Sequence, residues 1–358
     1  MDKKLRNSTK DKYITYAMVV IVFVIAQLMV STGVASNKFT GLLVPICVNV
    51  LAAMSLNLVV GISGELSLGH AGFMCIGAFV GSLFSVVTQQ TLTSAWIRFP
   101  LAILIGGVIA AIMGFLIGIP VLRLQGDYLA IVTLAFGEII KNIFNNMYLS
   151  YDKNGVFFTL SSEKFTAHQF DFATKKDLIK GAQGITGTPA DSQFWICFVV
   201  IMIALFVLLN LIDSKYGRSI KASRDNRIAA QAMGIDVTKS KMTAFVVSAF
   251  FAGIAGVLYS HNLHTLTAVK FDYNQSILIL VFVVLGGMKK MRGAIIAATV
   301  LYALPEALRA IADYRMILYA VVLIAMMLLN NNERFKEFKS KISPKKILAK
   351  TTAKGGNA

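Results

Sequence analysis

Charge is scarce in this chain of 358 residues, at 15% Asp, Glu, Lys and Arg, against roughly 25% in an ordinary soluble domain. Acidic residues are scarcer than basic ones, 18 against 35, and histidines number only 4. The three cysteines, Cys47, Cys75 and Cys197, fall inside apolar stretches at no metal or redox spacing, so they read as small hydrophobic filler. His261 and His264 share a helix face, but two ligands do not make a metal site. No G-x-x-x-x-G-K-[ST] sequence occurs, so the chain has no such loop with which to cradle ATP phosphates. No Ser/His/Asp or Cys/His constellation is placed for covalent catalysis. No obvious cluster of mid-membrane carboxylates offers the coupling site of a proton- or sodium-driven carrier. These absences set aside an enzyme, a nucleotide hydrolase and a simple ion-coupled carrier. Catalytic residues: none; metal ligands: none.

Apolar residues make up 56% of the chain and gather into runs of the length that crosses a bilayer as a helix, about 20 residues. Ten such segments fall at about 14–34, 40–60, 66–88, 99–122, 127–149, 193–213, 242–262, 274–288, 293–312 and 314–330. Spanning backbone must satisfy its own polar groups, which favours helices here. The expected fold is an all-α polytopic membrane protein of about ten transmembrane helices. The eighth segment is short, and the Gly-rich stretch 286–293 reads alternatively as broken or re-entrant.

Positive charge orients the segments. With the N-terminus inside, 24 of the 35 Lys and Arg lie in 1–13, at Arg123, and in 214–241, 289–292 and 331–358. Both termini are then cytoplasmic, and the net charge of +17 reports topology, with no nucleic acid required. This divides the chain into a cytoplasmic segment 1–13, a membrane domain 14–330 and a basic cytoplasmic tail 331–358. Gly33-Val34-Ala35 resembles a signal-cleavage site, but the apolar stretch before it is longer than a usual signal core, so the first span is expected to be retained.

Between spans, the long external loop 150–192 ends in turn formers around Gly184, Gly187 and Pro189 and reads either as a connector or as a docking surface. Small residues crowd 61–81 and 249–256, as close helix packing in lipid requires. Those near Glu65 and His70 also suit a discontinuous helix beside a substrate path. Glu138 with Lys141, and Glu306 with Arg309, stand three residues apart and read as neutralising pairs.

The cytoplasmic loop 214–241 holds a capping residue, Asp225 or Asn226, then the short Ala-rich stretch 228–233 with Met233 at its tip, and a left-handed stop at Gly234. Ala229-Ala230-x3-Gly234 resembles the Ala-Ala-x3-Gly core of the coupling loop in ABC importer permeases, with Ile228 where that motif usually opens on Glu. Over roughly residues 40–330 the chain resembles the LivM-type permease of branched-chain amino-acid ABC importers. The resemblance rests on Ser55-Leu-Asn57-Leu-Val-Val-Gly61, Leu66-Ser-Leu-Gly-His-Ala-Gly-Phe73, Gly126-Asp127-Tyr128 through Glu138, Gly184-Ile-Thr-Gly187, Gly217-Arg218, Arg224 to Gly234, Ala249 to Gly256, Val284-Leu-Gly286-Gly287, Leu304-Pro305-Glu306 and Tyr314-Arg315-Met316. Lys289-Lys290-Met291-Arg292 departs from the less charged turn that usually follows the Gly pair.

The resemblance implies an ABC importer permease fold in the bacterial cytoplasmic (inner) membrane. It implies a second homologous permease subunit, two cytoplasmic ATPase subunits and an extracytoplasmic substrate-binding protein as partners, with the cargo leucine, isoleucine or valine. ATP and Mg would bind the ATPases, and this chain would hold no cofactor. Arg218, Arg224, Asp225, Asn226, Ala229, Ala230, Met233 and Gly234 are the expected coupling residues. Asn57, Ser67, His70, Tyr128, Thr133 and Glu138 are expected along the path, and Gly184 and Gly187 where the binding protein docks. Permeases for urea and short amides look similar, and sugar importers share the broader fold. An ATP-independent channel would show polar rings, where this chain has dispersed single polar residues.

Overall fold

The computed structural model describes residues 2–33, 37–124, 126–152, 155–167, 176–288 and 290–307, with positions 320, 321 and 324. Residues Met1–Val300 form one compact unit; of the second, Leu301–Ala358, the described part is the end of one helix and those three positions. The expected tenth segment, the basic tail, Lys289 and Arg309 therefore lie outside the described residues, bar the three positions within that segment.

The structure is mostly helical. α1 is Asp2–Ser31, α2 Asn37–Asn57, α3 His70–Thr88, α4 Ala95–Val121, α5 Asp127–Asn145, α6 Ser162–Ala167, α7 Phe194–Asp213, α8 Lys215–Asp225, α9 Arg227–Ala232, α10 Val237–Ser260, α11 Tyr273–Gly286 and α12 Met291–Ala307. Among the described residues six helices are long and apolar enough to cross a membrane: α1, α2 with its extension to Ser63, α3, α4, α7 and α10. α7 shows why: its 20 residues contain no Gly, no Pro and no charge before Asp213, so nothing interrupts its backbone ladder. α11 is shorter, at 14 residues, and α5 carries Asp127, Glu138 and Lys141.

α10 sits at the centre, packed on α2, α3 and α4. Small residues permit this. Gly77 of α3 lies against Gly253 of α10, Gly106 of α4 against Val257, Gly114 against Ala249, and Gly256 beneath the carbonyl of Met74. In lipid, where apolar burial drives nothing between helices, such close backbone approach supplies the attraction. The outer surfaces are apolar instead of charged: Ile131, Ile203 and Phe206 are 62%, 57% and 60% exposed. α1 is peripheral, fixed to α7 by stacking of Phe23 on Phe198 and by the Lys12–Asp213 ion pair at 2.8 Å.

The long loop between α5 and α7 is folded, which the sequence reading missed. β1 (Tyr148–Asp152) pairs antiparallel with β2 (Gly155–Thr159) and with β3 (Lys176–Lys180), in the order β2-β1-β3. β4 (Ile185–Thr186) pairs with β5 (Thr265–Leu266), tying this loop to the segment that follows α10. Gly184 has φ +69°, and a side chain there would meet the carbonyl of Leu266. The Gly187 N–H donates to the His264 carbonyl at 3.0 Å. Both glycines therefore hold the β4–β5 junction together.

Candidate functional site

Among the described residues the membrane core has a conspicuous break after α2. Leu58–Ser63 continue α2 as a π-turn, and Gly64, at φ +77°, ends it. The wider turn is the kind of helix irregularity that recurs at functional sites. The Glu65 N–H still closes back on the Val59 carbonyl at 3.1 Å, and residues 66–69 then lie outside any helix until α3 starts at His70. Backbone exposed in this way must find partners inside the protein. The Leu68 N–H donates to Thr133 Oγ1 at 3.0 Å, and that hydroxyl donates to the Ala130 carbonyl at 3.0 Å. The Ala71 N–H donates to Ser276 Oγ of α11 at 3.0 Å. His70 Nε2 lies 2.8 Å from Ser55 Oγ, and Ser248 Oγ of α10 donates to the Ser55 carbonyl at 2.7 Å. Ser67, His70 and Thr133 are all buried.

α11 begins beside the same region. Asp272 accepts from the Gln275 N–H at 3.0 Å, and Glu138 Oε1 accepts from the Tyr273 N–H at 3.0 Å. Glu138 is also ion-paired with Lys141, as the spacing predicts. Its carboxylate thus caps one helix while neutralised by its own. Tyr128, by contrast, points away from the interior and is 73% exposed.

The second element is the polar connection from α7 to α10, a chain of capped short helices. Ser214 Oγ accepts from the Gly217 N–H at 3.3 Å, opening α8. Arg218 and Lys221 reach back to the final carbonyls of α7, Asp213 at 3.2 Å and Ile212 at 3.0 Å, as cations near a helix C-terminus do. Asn226, one of the two expected caps, accepts from the Ala229 N–H at 3.0 Å and opens α9. Gly234, at φ +76°, stops it. Asp236 then caps α10 through the Lys239 N–H at 3.0 Å, and this bond holds its carboxyl below the usual range. Ala230 packs inward, while Ile228 and Met233 stand 80% and 82% exposed. Two large apolar side chains are thus presented to the outside on a cationic element.

Replacing Asn226 by Ala removes the α9 cap, an effect of about 1 kcal/mol, or roughly fivefold in the local opening equilibrium. Tryptic cleavage at Arg227 of the purified protein is expected to quicken by about that factor.

The two elements meet. Arg224 of α8 donates to the Gly61 carbonyl at 3.0 Å, in the π-turn, while it pairs with Asp225 at 2.8 Å. Its aliphatic stem covers Gly64. Lys241 of α10 is ion-paired with Glu65, the first residue beyond Gly64, and both side chains are nearly buried. Ser63, Gly64, Glu65, Asp127, Arg224 and Lys241 line a polar cavity of about 290 Å³ here. Asn57 is fully buried one turn above. Its amide donates to Met291 Sδ at 3.6 Å, and its carbonyl oxygen has no partner among the described residues. Gly61 is wedged between that oxygen and the Met288 carbonyl.

Of the residues singled out in the sequence, Asn57, Ser67, His70, Thr133, Arg224 and Asp225 lie at the break or its junction with α8. Arg218, Asn226, Ala229, Ala230, Met233 and Gly234 build the connection from α7 to α10, Glu138 holds the start of α11, Tyr128 faces outward, and Gly184 and Gly187 belong to the β4–β5 junction. Sequence reasoning missed Lys241, counted only as one more loop cation, because its partner lies 176 positions away in the chain.

A bundle with an apolar exterior, a small-residue core and a broken helix stapled by internal hydrogen bonds is a multi-pass membrane protein. Residues 38–329 match the family described as branched-chain amino acid transport system / permease component, and the chain belongs to that family. It is 34% identical over 286 residues to the high-affinity branched-chain amino acid transport system permease protein LivM of Salmonella typhimurium, covering 78% of this chain and 65% of that protein. Identity to the Escherichia coli LivM is likewise 34%, with the same coverage. The chain thus spans about two thirds of the length of these relatives. The ribose import permease protein RbsC of Haemophilus influenzae is 24% identical over 79% of this chain and 82% of its own length. No solved structure matches the chain.

Proposed function

We propose that this chain is a permease subunit of an ATP-driven ABC importer that carries leucine, isoleucine or valine into the cytoplasm across the bacterial inner membrane. In this reading about ten helices span the membrane, both termini are cytoplasmic, and the α8–α9 element faces the cytoplasm. A second homologous permease completes the pore, two ATPases supply energy and bind ATP and Mg, and an external binding protein delivers the cargo.

The observation that carries the reading is the exposed Ile228–Met233 surface on an element anchored by Arg224 to the broken helix. A partner that grips α9 can move the break, and alternate exposure of a site near a discontinuous helix is how such carriers work. The path is proposed along residues 66–69, with Asn57 and Ser67 lining it and His70 and Thr133 holding the break in shape. Glu138 positions the start of α11. Gly184 and Gly187 set the shape of the face offered to the binding protein.

Uptake of labelled leucine tests the proposal, in cells lacking their own importer and given this gene with genes for the partner permease, ATPases and binding protein. Deletion of this gene, or inactivation of the ATPase, is expected to abolish leucine uptake. Similarity to RbsC and to the Escherichia coli D-allose transport system permease protein AlsC supports a second reading, a permease for another small solute. Entry of ribose or urea without leucine would establish it, and uptake indifferent to the ATPase would indicate a channel.

A further inference from the structure

Both ends of the α9 element are tethered to the same five residues. On its entry side, Arg224 closes α8 and holds the Gly61 carbonyl at 3.0 Å. That carbonyl is one of the last in its helix, without an intrahelical partner, so the guanidinium satisfies it. On its exit side, Lys241 lies one turn into α10 and grips Glu65. The side chains of Arg224, Glu65 and Lys241 line the 290 Å³ cavity. An ion pair this deep is poor evidence for stability, because desolvation of both charges offsets most of their attraction. Its best-attested use is to fix one arrangement over another.

We propose that the Glu65–Lys241 pair is a positioning latch that joins the exit of the coupling element to the broken end of α2, so that movement of α9 is transmitted to residues 61–65. The inference rests on the coupling role proposed above for α8 and α9. With Arg224 alone, the charged tether between the α9 element and residues 61–65 lies on the entry side only, and packing of α10 on α2 is left to carry the exit side. With both contacts, displacement of α9 carries Gly61 and Glu65 together. Removing the latch therefore separates ATP hydrolysis from transport while leaving each partner able to bind.

The test uses the complete transporter in proteoliposomes with binding protein and leucine, measuring uptake and ATP hydrolysis in the same preparation. ATP-driven leucine uptake by the unaltered complex establishes the underlying reading first, so its failure is distinguishable. Glu65→Gln and Lys241→Gln are each expected to keep hydrolysis within about twofold and to lower leucine moved per ATP at least tenfold. The exchanged pair, Glu65→Lys with Lys241→Glu, is expected to restore that ratio to within about threefold of the unaltered complex. An unchanged ratio in the single variants overturns the latch. So does a parallel fall in uptake and hydrolysis, which marks a merely structural contact. Where a single variant fails to assemble, the exchanged pair decides: a restored ratio supports the latch, and a low ratio or failed assembly overturns it.

Discussion

Cells expressing a permease with Ile228→Asp and Met233→Asp are expected to lose leucine uptake to background while inserting the protein normally. Both side chains are more than three-quarters exposed, so the substitutions disturb nothing inside this chain. If an ATPase covers them, each contributes on the order of 1.5–3 kcal/mol of apolar burial. Replacing both by carboxylates removes that and adds the desolvation of two charges. At about 1.4 kcal/mol per tenfold, occupancy of the complex drops at least hundredfold. Co-purification of the ATPase should fall with uptake. Unimpaired uptake would remove the coupling role of α9. The double change Ala229→Trp and Gly234→Val attacks the same surface by shape, since Gly234 sits at φ +76°, where a β-branched residue is strained.

The second large effect concerns the packing of α10. In Gly256→Ala the new methyl would meet the Met74 carbonyl and lie 3.0 Å from the Ala78 N–H. These are backbone atoms, which yield only if α3 and α10 move apart. Overpacking of this kind costs roughly 1–3 kcal/mol, occasionally more, here multiplied by the neighbouring Gly77–Gly253 contact, which opens as well. The melting temperature in detergent is expected to fall by about 2–5 °C. Gly41→Ala is the control: it lies in α2 with open space around it, and there the higher helix propensity of Ala should hold or raise stability. Equal melting of the two variants would show that close approach at Gly256 contributes little.

Much of the site was legible because its signals are local. The Asn226 cap and the Gly234 stop lie within nine residues of each other, and each follows from the conformational preference of one side chain. The Glu138–Lys141 pair was readable from helical spacing alone. The β1–β3 sheet was not, because its strands are five residues long and sit in a polar loop where no hydrophobic alternation marks them. The roles within the break were also hidden. Thr133 was expected along the path; its hydroxyl bonds the Leu68 N–H, a donor freed only because the chain leaves the helix at Gly64, and no local signal in the sequence announced that bond. His70, also expected along the path, is buried with its Nε2 2.8 Å from Ser55 Oγ, a partner 15 positions back that the sequence did not indicate.

By itself, the sequence determined the membrane-embedded helical character, the position of the polar α8–α9 element and the family. All three depend on the order of apolar and charged residues along the chain, which the bilayer sorts by transfer free energy. Only the tertiary structure decided that the π-turn after α2, the end of α8 and the start of α10 share one cavity. The contacts that make this so, Arg224 to Gly61 and Lys241 to Glu65, are short-range interactions between groups more than 160 positions apart. Their existence depends on how α2, α8 and α10 pack, and that packing is set by many small side chains acting together, none of which names its partner.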